Sequence, residues 1–257
     1  MRRINVRRLI WLALALMGWT TAQAQEHNPS GAPAGWPEPI LDSEPHAFLL
    51  FDQLEYQNIE GTNAVAWDAL GWYGGDYQRV WIETEGEDLG SGGGGEIERF
   101  DVQYGRLIAP FWDVQVGLGY QRAYGDGPDQ DRVSAIFGLQ GLAPQWFEVD
   151  ANLRVSEDGD VSADLEAEYD LLLTQRWVLQ PRFETEFAFQ DVDEFDVASG
   201  LNSVRLSLRL RYEIRREFAP YIGVSWSRLL GDTADIARAG GEDVEETAVV
   251  VGLRFWF

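Results

Sequence analysis

Val251-Gly-Leu-Arg-Phe-Trp-Phe257 closes the chain, and its alternation decides how the rest is read. With a period of two, Phe257, Phe255, Leu253, Val251 and Val249 share one face of a strand. Trp256, Arg254, Gly252 and Val250 share the other. Soluble domains usually finish in polar, frayed residues, so an ending of bare aromatics asks for an apolar surrounding.

The same alternation recurs upstream in segments of about ten residues, the length a tilted strand needs to cross a bilayer. Twelve are expected: Ala47–Gln57, Asn63–Tyr73, Asp76–Glu85, Glu96–Leu107, Trp112–Arg122, Asp131–Gly141, Gln145–Val155, Val161–Leu171, Arg176–Phe189, Leu201–Ile214, Ala219–Leu229 and Thr247–Phe257. The tenth carries the pattern best. Val204, Leu206, Leu208, Leu210, Tyr212 and Ile214 alternate with Arg205, Ser207, Arg209, Arg211 and Glu213. Arginine on a lipid face costs roughly 2–4 kcal/mol at the bilayer midplane, so three on one strand face must look into a wet, charged interior. The eighth segment supplies acids with the same parity: Asp164, Glu166, Glu168 and Asp170. The ninth sets Arg182, Glu184 and Glu186 against Leu179, Phe183 and Phe187.

The connections alternate in length as well. Gly74-Gly75, Ile108–Phe111, Leu142–Pro144, Leu172–Gln175 and Arg215–Phe218 are short. Gly86–Gly95, Ala123–Gln130, Gln190–Gly200 and Leu230–Glu246 are longer and rich in Gly and acid, with the tight Glu157-Asp-Gly159 as the exception. Short periplasmic turns and long external loops are the habit of outer-membrane barrels. Trp112, Trp146, Trp177, Tyr221 and Trp256 near strand ends suit interfacial girdles. The expected fold is therefore all-β: a transmembrane antiparallel barrel of about twelve strands over residues 46–257. A soluble lipocalin-like barrel or sandwich has the same alternation with its faces exchanged. The arginine-rich faces and the terminal Phe, which resembles an outer-membrane assembly signal, favour the membrane.

The N-terminus fits that destination. Arg2, Arg3, Arg7 and Arg8 precede the apolar run Leu9–Met17, which is too short to span a bilayer, and Ala22-Gln-Ala24 fits a cleavage site. Residues 1–24 are thus expected to be a signal peptide. Residues 25–45, rich in Pro, Gly, Ala and Ser, are expected to be a flexible periplasmic tail, with both chain ends in the periplasm. There is no cysteine and no lysine. Without the four leader arginines, 16 basic residues face 43 acidic ones, a net charge of −27. Such a charge repels nucleic acid and attracts cations. A saline habitat or genome composition accounts for it equally well.

Several runs resemble the copper resistance protein B family of bacterial copper-resistance operons. They include Phe51-Asp-Gln-Leu-Glu55, Gly138-Leu-Gln-Gly-Leu-Ala-Pro144, Trp146-Phe-Glu-Val-Asp150, Tyr169–Arg176 and, the longest, Leu208-Arg-Leu-Arg-Tyr-Glu-Ile-Arg-Arg-Glu-Phe-Ala-Pro-Tyr-Ile-Gly223. The resemblance covers about residues 47–257. It implies an outer-membrane protein of copper tolerance that binds copper ions or assists their export, with outer-membrane lipid around it and a periplasmic multicopper oxidase as a partner. It also implies a Met- and His-rich N-terminal segment, whose thioether and imidazole groups suit copper. This chain departs there: no Met follows Met17, and the only histidines are His27 and His46.

For a metal, His46 with Asp52 and Glu55 is the candidate nitrogen–oxygen set near the first strand; a solvated histidine is the plainer reading. The lumen charges Asp164, Glu166, Glu168, Arg182, Glu184, Glu186, Arg205, Arg209, Arg211 and Glu213 admit two readings. The acids could ease a cation in transit. Alternatively, acids and arginines form a structural lattice that holds the barrel open, and their locally balanced signs favour this. The loop acids (Glu85, Glu87, Asp88; Asp126, Asp129, Asp131; Glu242, Asp243, Glu245, Glu246) either concentrate cations outside or are simply solvated. No enzymatic activity is expected: both histidines are remote in sequence from any outward serine, and Gly92–Gly95 is not followed by a phosphate-loop Lys. A general cation or solute channel remains the alternative function.

Overall fold

The computed structural model describes residues 44–59, 62–90, 94–125, 129–192 and 195–257. The expected leader, His27 and nearly all of the expected tail lie outside them. The described residues form a closed antiparallel barrel of twelve strands: β1 (His46–Ile59), β2 (Thr62–Gly74), β3 (Gln78–Asp88), β4 (Gly95–Ala109), β5 (Trp112–Tyr124), β6 (Gln130–Ala143), β7 (Phe147–Ser156), β8 (Val161–Tyr169), β9 (Trp177–Ala188), β10 (Gly200–Tyr212), β11 (Phe218–Leu229) and β12 (Glu245–Trp256). After Asp170, Leu171–Leu172 continues β8 and pairs with β9 as β8 does. Every strand pairs with its sequence neighbours, and β12 closes the ring on β1 with Phe51 opposite Phe255. The terminal residue takes part: Phe257 N–H donates to the Leu49 carbonyl at 2.9 Å, and Leu49 N–H returns the bond at 3.2 Å. Closure leaves no unpaired edge, the condition for a sheet in hydrocarbon.

The alternation sorts as expected. On β12, Val249 and Val251 are 59% and 55% exposed on the outer wall, whereas Val250 between them is 0% exposed inside. Leu206, Leu208, Ile222, Val224, Val116, Leu118 and Phe137 continue the outer apolar surface around the ring. This inverts a soluble protein, whose apolar side chains face inward, and it marks the wall as lipid-facing. Among the girdle aromatics, Trp146 and Trp177 are exposed. Tyr221 and Trp256 depart from the expectation and lie on the inner face. Tyr221 is buried between outward Pro220 and Ile222, its ring against Gly252; Trp256 packs on Phe48 at 5.8 Å.

Bulges interrupt the period in β1, β4 and β10, the last at Asn202 opposite the Glu186–Phe187 step of β9. In β1 the register shifts between Phe51 and Glu55, so Asp52 and Gln53 both turn inward. In β4 it shifts between Ile97 and Phe100, which brings the adjacent Glu98 and Arg99 to the interior. An extra residue on one strand does this by leaving the ladder unpaired at one position.

The 230–246 connection, read as loop, contains a helix, α1 (Gly231–Gly240). Asp232 lies in its first turn and Arg238 in its last, matching the helix dipole. Gly241, at φ 85, ends it, and Ala234 and Ala237 are buried. Thr233 Oγ1 accepts the Ala198 N–H at 3.0 Å, which fastens α1 to the β9–β10 connection.

Candidate functional site

The interior is built from the polar parity of the strands. Its centre is a knot of three arginines and five carboxylates contributed by β2, β3, β4, β8, β9 and β10. Arg182 reaches Asp68 and Glu166, each at 2.7 Å, and Glu184 at 2.5 Å. Arg99 lies 3.0 Å from Glu85 and 3.4 Å from Glu166. Arg205 lies 3.3 Å from Glu184 and 3.4 Å from Glu98. The Arg205–Glu98 pair joins β10 to β4, six strands away around a twelve-strand ring, so it spans the lumen.

Smaller pairs flank the knot. Arg154 grips Asp101 with both terminal nitrogens, at 2.8 and 3.1 Å, and places Nε 2.7 Å from Asp164. Gly119 gives that pair its room, since a Cβ there would lie 2.4 Å from Asp101 Oδ1. Arg209 donates to Glu55 at 2.5 Å and to Gln53 at 2.8 Å. Arg254 donates to Asp52 at 2.5 Å, and Arg211 pairs with Asp170. Such pairs are favourable only where partners and hydrogen bonds are complete; the forked Arg154–Asp101 contact comes nearest to this, whereas Arg211 Nη1 and Asp170 Oδ1 stay unpartnered.

The lattice fills the barrel at this level, a point that the sequence left undecided between an open and a plugged lumen. The inward side chains of Glu55, Asp101, Gln103, Gln115, Ile136, Val178 and Val250 are each under 2% exposed. A continuous aqueous bore would wet them. Toward the short-turn end the inner face carries Phe48, Trp72 and Trp81, with the Arg79 guanidinium 4.4 Å above the Trp72 ring. Toward the long-loop end a cavity of about 480 Å³ opens above the knot. Twelve carboxylates and six arginines line it, including Glu87, Glu96, Glu186 and Asp243. This vestibule is a negatively charged cup with a closed floor. In the adjoining β9–β10 connection, the Ser199 N–H donates to Asp191 at 2.7 Å and holds that carboxyl below its ordinary range.

The sequence candidates divide. Asp164, Glu166, Arg182, Glu184, Arg205, Arg209 and Arg211 all enter the lattice. Glu168 accepts from Gln180 at 2.9 Å, Glu213 stands 4.0 Å from Arg211, and Glu186 lines the vestibule. His46, Asp52 and Glu55 are not brought together. His46 is exposed at the start of β1, and nine extended residues put Glu55 about 30 Å away. Asp52 and Glu55 instead accept from arginine. Among the described residues, no group of three or more His, Asp or Glu side chains is arranged to hold a metal ion. Glu85, Glu87 and Asp88, read as loop acids, belong to β3, and Glu85 sits in the knot. Asp131, Glu245 and Glu246 likewise lie in strands, and Asp126 lies outside the described residues. Asp68, Glu98, Arg99, Asp101 and Arg154 escaped the sequence reading. Parity alone flags Asp68, Arg99, Asp101 and Arg154; the β4 bulge hides Glu98.

A closed barrel with an apolar outer wall and a charged interior defines a transmembrane β-barrel protein. More particularly, the chain belongs to the copper resistance protein B family: the family described as copper resistance protein B precursor (CopB) matches residues 46–257. The chain is 41% identical over 218 residues to a copper resistance protein B of Escherichia coli, covering 85% of this chain and 72% of that one. It is 41% identical over 220 residues to the copper resistance protein B homolog of Pseudomonas syringae pv. tomato (strain ATCC BAA-871 / DC3000), with the same coverages. Among solved structures it is similar to the NanC porin, with 11% identity, a TM-score of 0.49, and coverage of 82% of this chain and 99% of that one. It is also similar to a KdgM porin, with 10% identity, a TM-score of 0.43 and the same coverages.

Proposed function

We propose that this protein lies in the outer membrane of a Gram-negative envelope and serves copper resistance, by binding copper ions or assisting their passage outward. The observation that carries the reading is the family match over the whole barrel. On this reading the long loops face outside and both chain ends face the periplasm, where a multicopper oxidase is the expected partner. The acidic vestibule gathers cations at the outer mouth. Carboxylates alone give a copper site little selectivity, because copper discriminates through nitrogen and sulfur donors. Selectivity then falls to His27 and His46, or to the partner, in place of the family's Met/His-rich segment. The protein has no enzymatic step of its own.

A general cation channel is the second reading, and the filled waist disfavours it. Passage of any ion through the barrel requires the Arg99–Arg182–Arg205 knot to rearrange.

The test is growth of a clean deletion strain in rising copper, with zinc as the control. The expected result is sensitivity to copper alone, restored by the wild-type gene. Unchanged copper tolerance, or equal sensitivity to zinc, overturns the proposal.

A further inference from the structure

Below the Arg154–Asp101 pair, the inner wall of β3 to β7 holds a set of oxygens that the lattice does not use. A Cβ on Gly138 would meet three at once: Asn152 Oδ1 at 2.6 Å, Gln115 Oε1 at 3.1 Å and Gln103 Oε1 at 3.2 Å. Asn152, Gln115 and Gln103 are 3%, 1% and 1% exposed, and none of the three oxygens has a hydrogen-bond partner.

The orientation of two of these amides follows from chemistry. Asn152 Nδ2 donates to Asp150 at 2.7 Å and to Asp164 at 2.9 Å. A carboxylate only accepts, so Asn152 Oδ1 must face the pocket. Gln140 Nε2 donates to Asp150 at 3.3 Å, which leaves Gln140 Oε1 to accept from Gln115 Nε2 at 3.0 Å. Gln115 Oε1 must therefore face the pocket too. The Gln103 amide is unpartnered at both ends.

On the neighbouring strand, Glu83 is buried with neither carboxylate oxygen hydrogen-bonded. Its cross-strand partner on β4 is Asp101, an acid already committed to Arg154. Buried acceptors that lack donors are costly and call for a partner. A carboxylate in an acidic surrounding calls for a positive one.

We propose that Gln103, Gln115 and Asn152, with Glu83 as the charged ligand, form a binding site for a hard divalent cation of the calcium type. Calcium takes six to eight oxygens, among them Asn and Gln carbonyls and carboxylates. Amide and carboxylate oxygens suit such ions, whereas imidazole and thiolate suit copper. The site is therefore distinct from copper handling and stands or falls independently of it. Gly138 provides the space. The bound ion joins β3, β4, β5 and β7 through side chains, beyond what the backbone ladder does.

Terbium luminescence tests this. The full-length protein, folded in detergent and stripped with a chelator, is titrated with Tb³⁺ under tryptophan excitation. Trp81, the cross-strand partner of Gln103, is the sensitiser. The expected result is saturable emission displaced by Ca²⁺ but not by Na⁺. Glu83→Gln and Gly138→Ala are each expected to weaken that affinity at least about tenfold while keeping the heat-modifiable mobility of a folded barrel. If Gly138→Ala fails to fold, Gln103→Met removes a ligand oxygen at similar volume and is expected to do the same. Absence of Ca²⁺-displaceable emission overturns the proposal. So does wild-type affinity in Glu83→Gln and Gln103→Met, which would mean that water alone satisfies these oxygens.

Discussion

Arg182→Met removes the arginine on which the central knot turns. The Arg182 side chain is 1% exposed and contacts Asp68, Glu166 and Glu184 within 2.7 Å. Methionine keeps most of the volume but strands three carboxylates, with only Arg99 and Arg205 left to serve the knot's five. Removing one partner of a buried ion pair typically costs about 3–5 kcal/mol, mostly the penalty of the charge left behind. For a chain of this size each kcal/mol moves the midpoint by roughly 2–4 °C, so a fall of roughly 6–20 °C is expected. The loss of heat-modifiable mobility on gels, followed against temperature, measures it. Adding Asp68→Leu and Glu166→Leu to Arg182→Met should recover part of the loss, because the stranded charges go too. A fall below about 1 kcal/mol for Arg182→Met, typical of exposed pairs, would refute the reasoning by showing the knot to be solvated.

Deleting Phe257 removes both hydrogen bonds that close β12 on Leu49; a smaller folded fraction in membrane extracts is expected, scored by unheated gel mobility. Gly119→Val puts a side chain where Asp101 Oδ1 lies 2.4 Å from the Cβ position. It should break the Arg154 pair and lower the unfolding midpoint more than Gly75→Val, whose Cβ position is open and whose φ is not positive. The Asp191 carboxyl is held below its ordinary value of 3.8 by the Ser199 N–H. Its contact is therefore fully present above that value and fades as pH falls through the lower folded one. Hydrogen exchange of Ser199 should show protection at pH 5 that shrinks at pH 3, and Asp191→Asn should remove the difference.

The sequence was legible where the period of two runs unbroken. On β10, parity alone assigned Arg205, Arg209 and Arg211 to the interior, and the structure finds each paired there. Strand existence was likewise readable, because lipid outside and charge inside leave only one way to sort Val204 to Ile214. It failed where one extra residue breaks parity, as at Asp52–Gln53 and at Glu98, since a bulge leaves no mark in an alternation count. It also failed at α1, where the capping Gly241 looked like loop composition. The identity of ion-pair partners was out of reach: Arg205 meets Glu98 from 107 positions away, and only closure of the ring makes them neighbours. Whether the lumen is open or filled depends on those cross-lumen contacts and could not be read from strand count.

Single-channel recording of the wild-type protein in a planar bilayer tests the central claim, a barrel closed by its own ion pairs, most directly. The expected result is silence at low voltage in symmetric salt, with the protein's insertion verified independently. Stepwise ohmic conductance under the same conditions would contradict the closed lumen and return the molecule to the class of general channels.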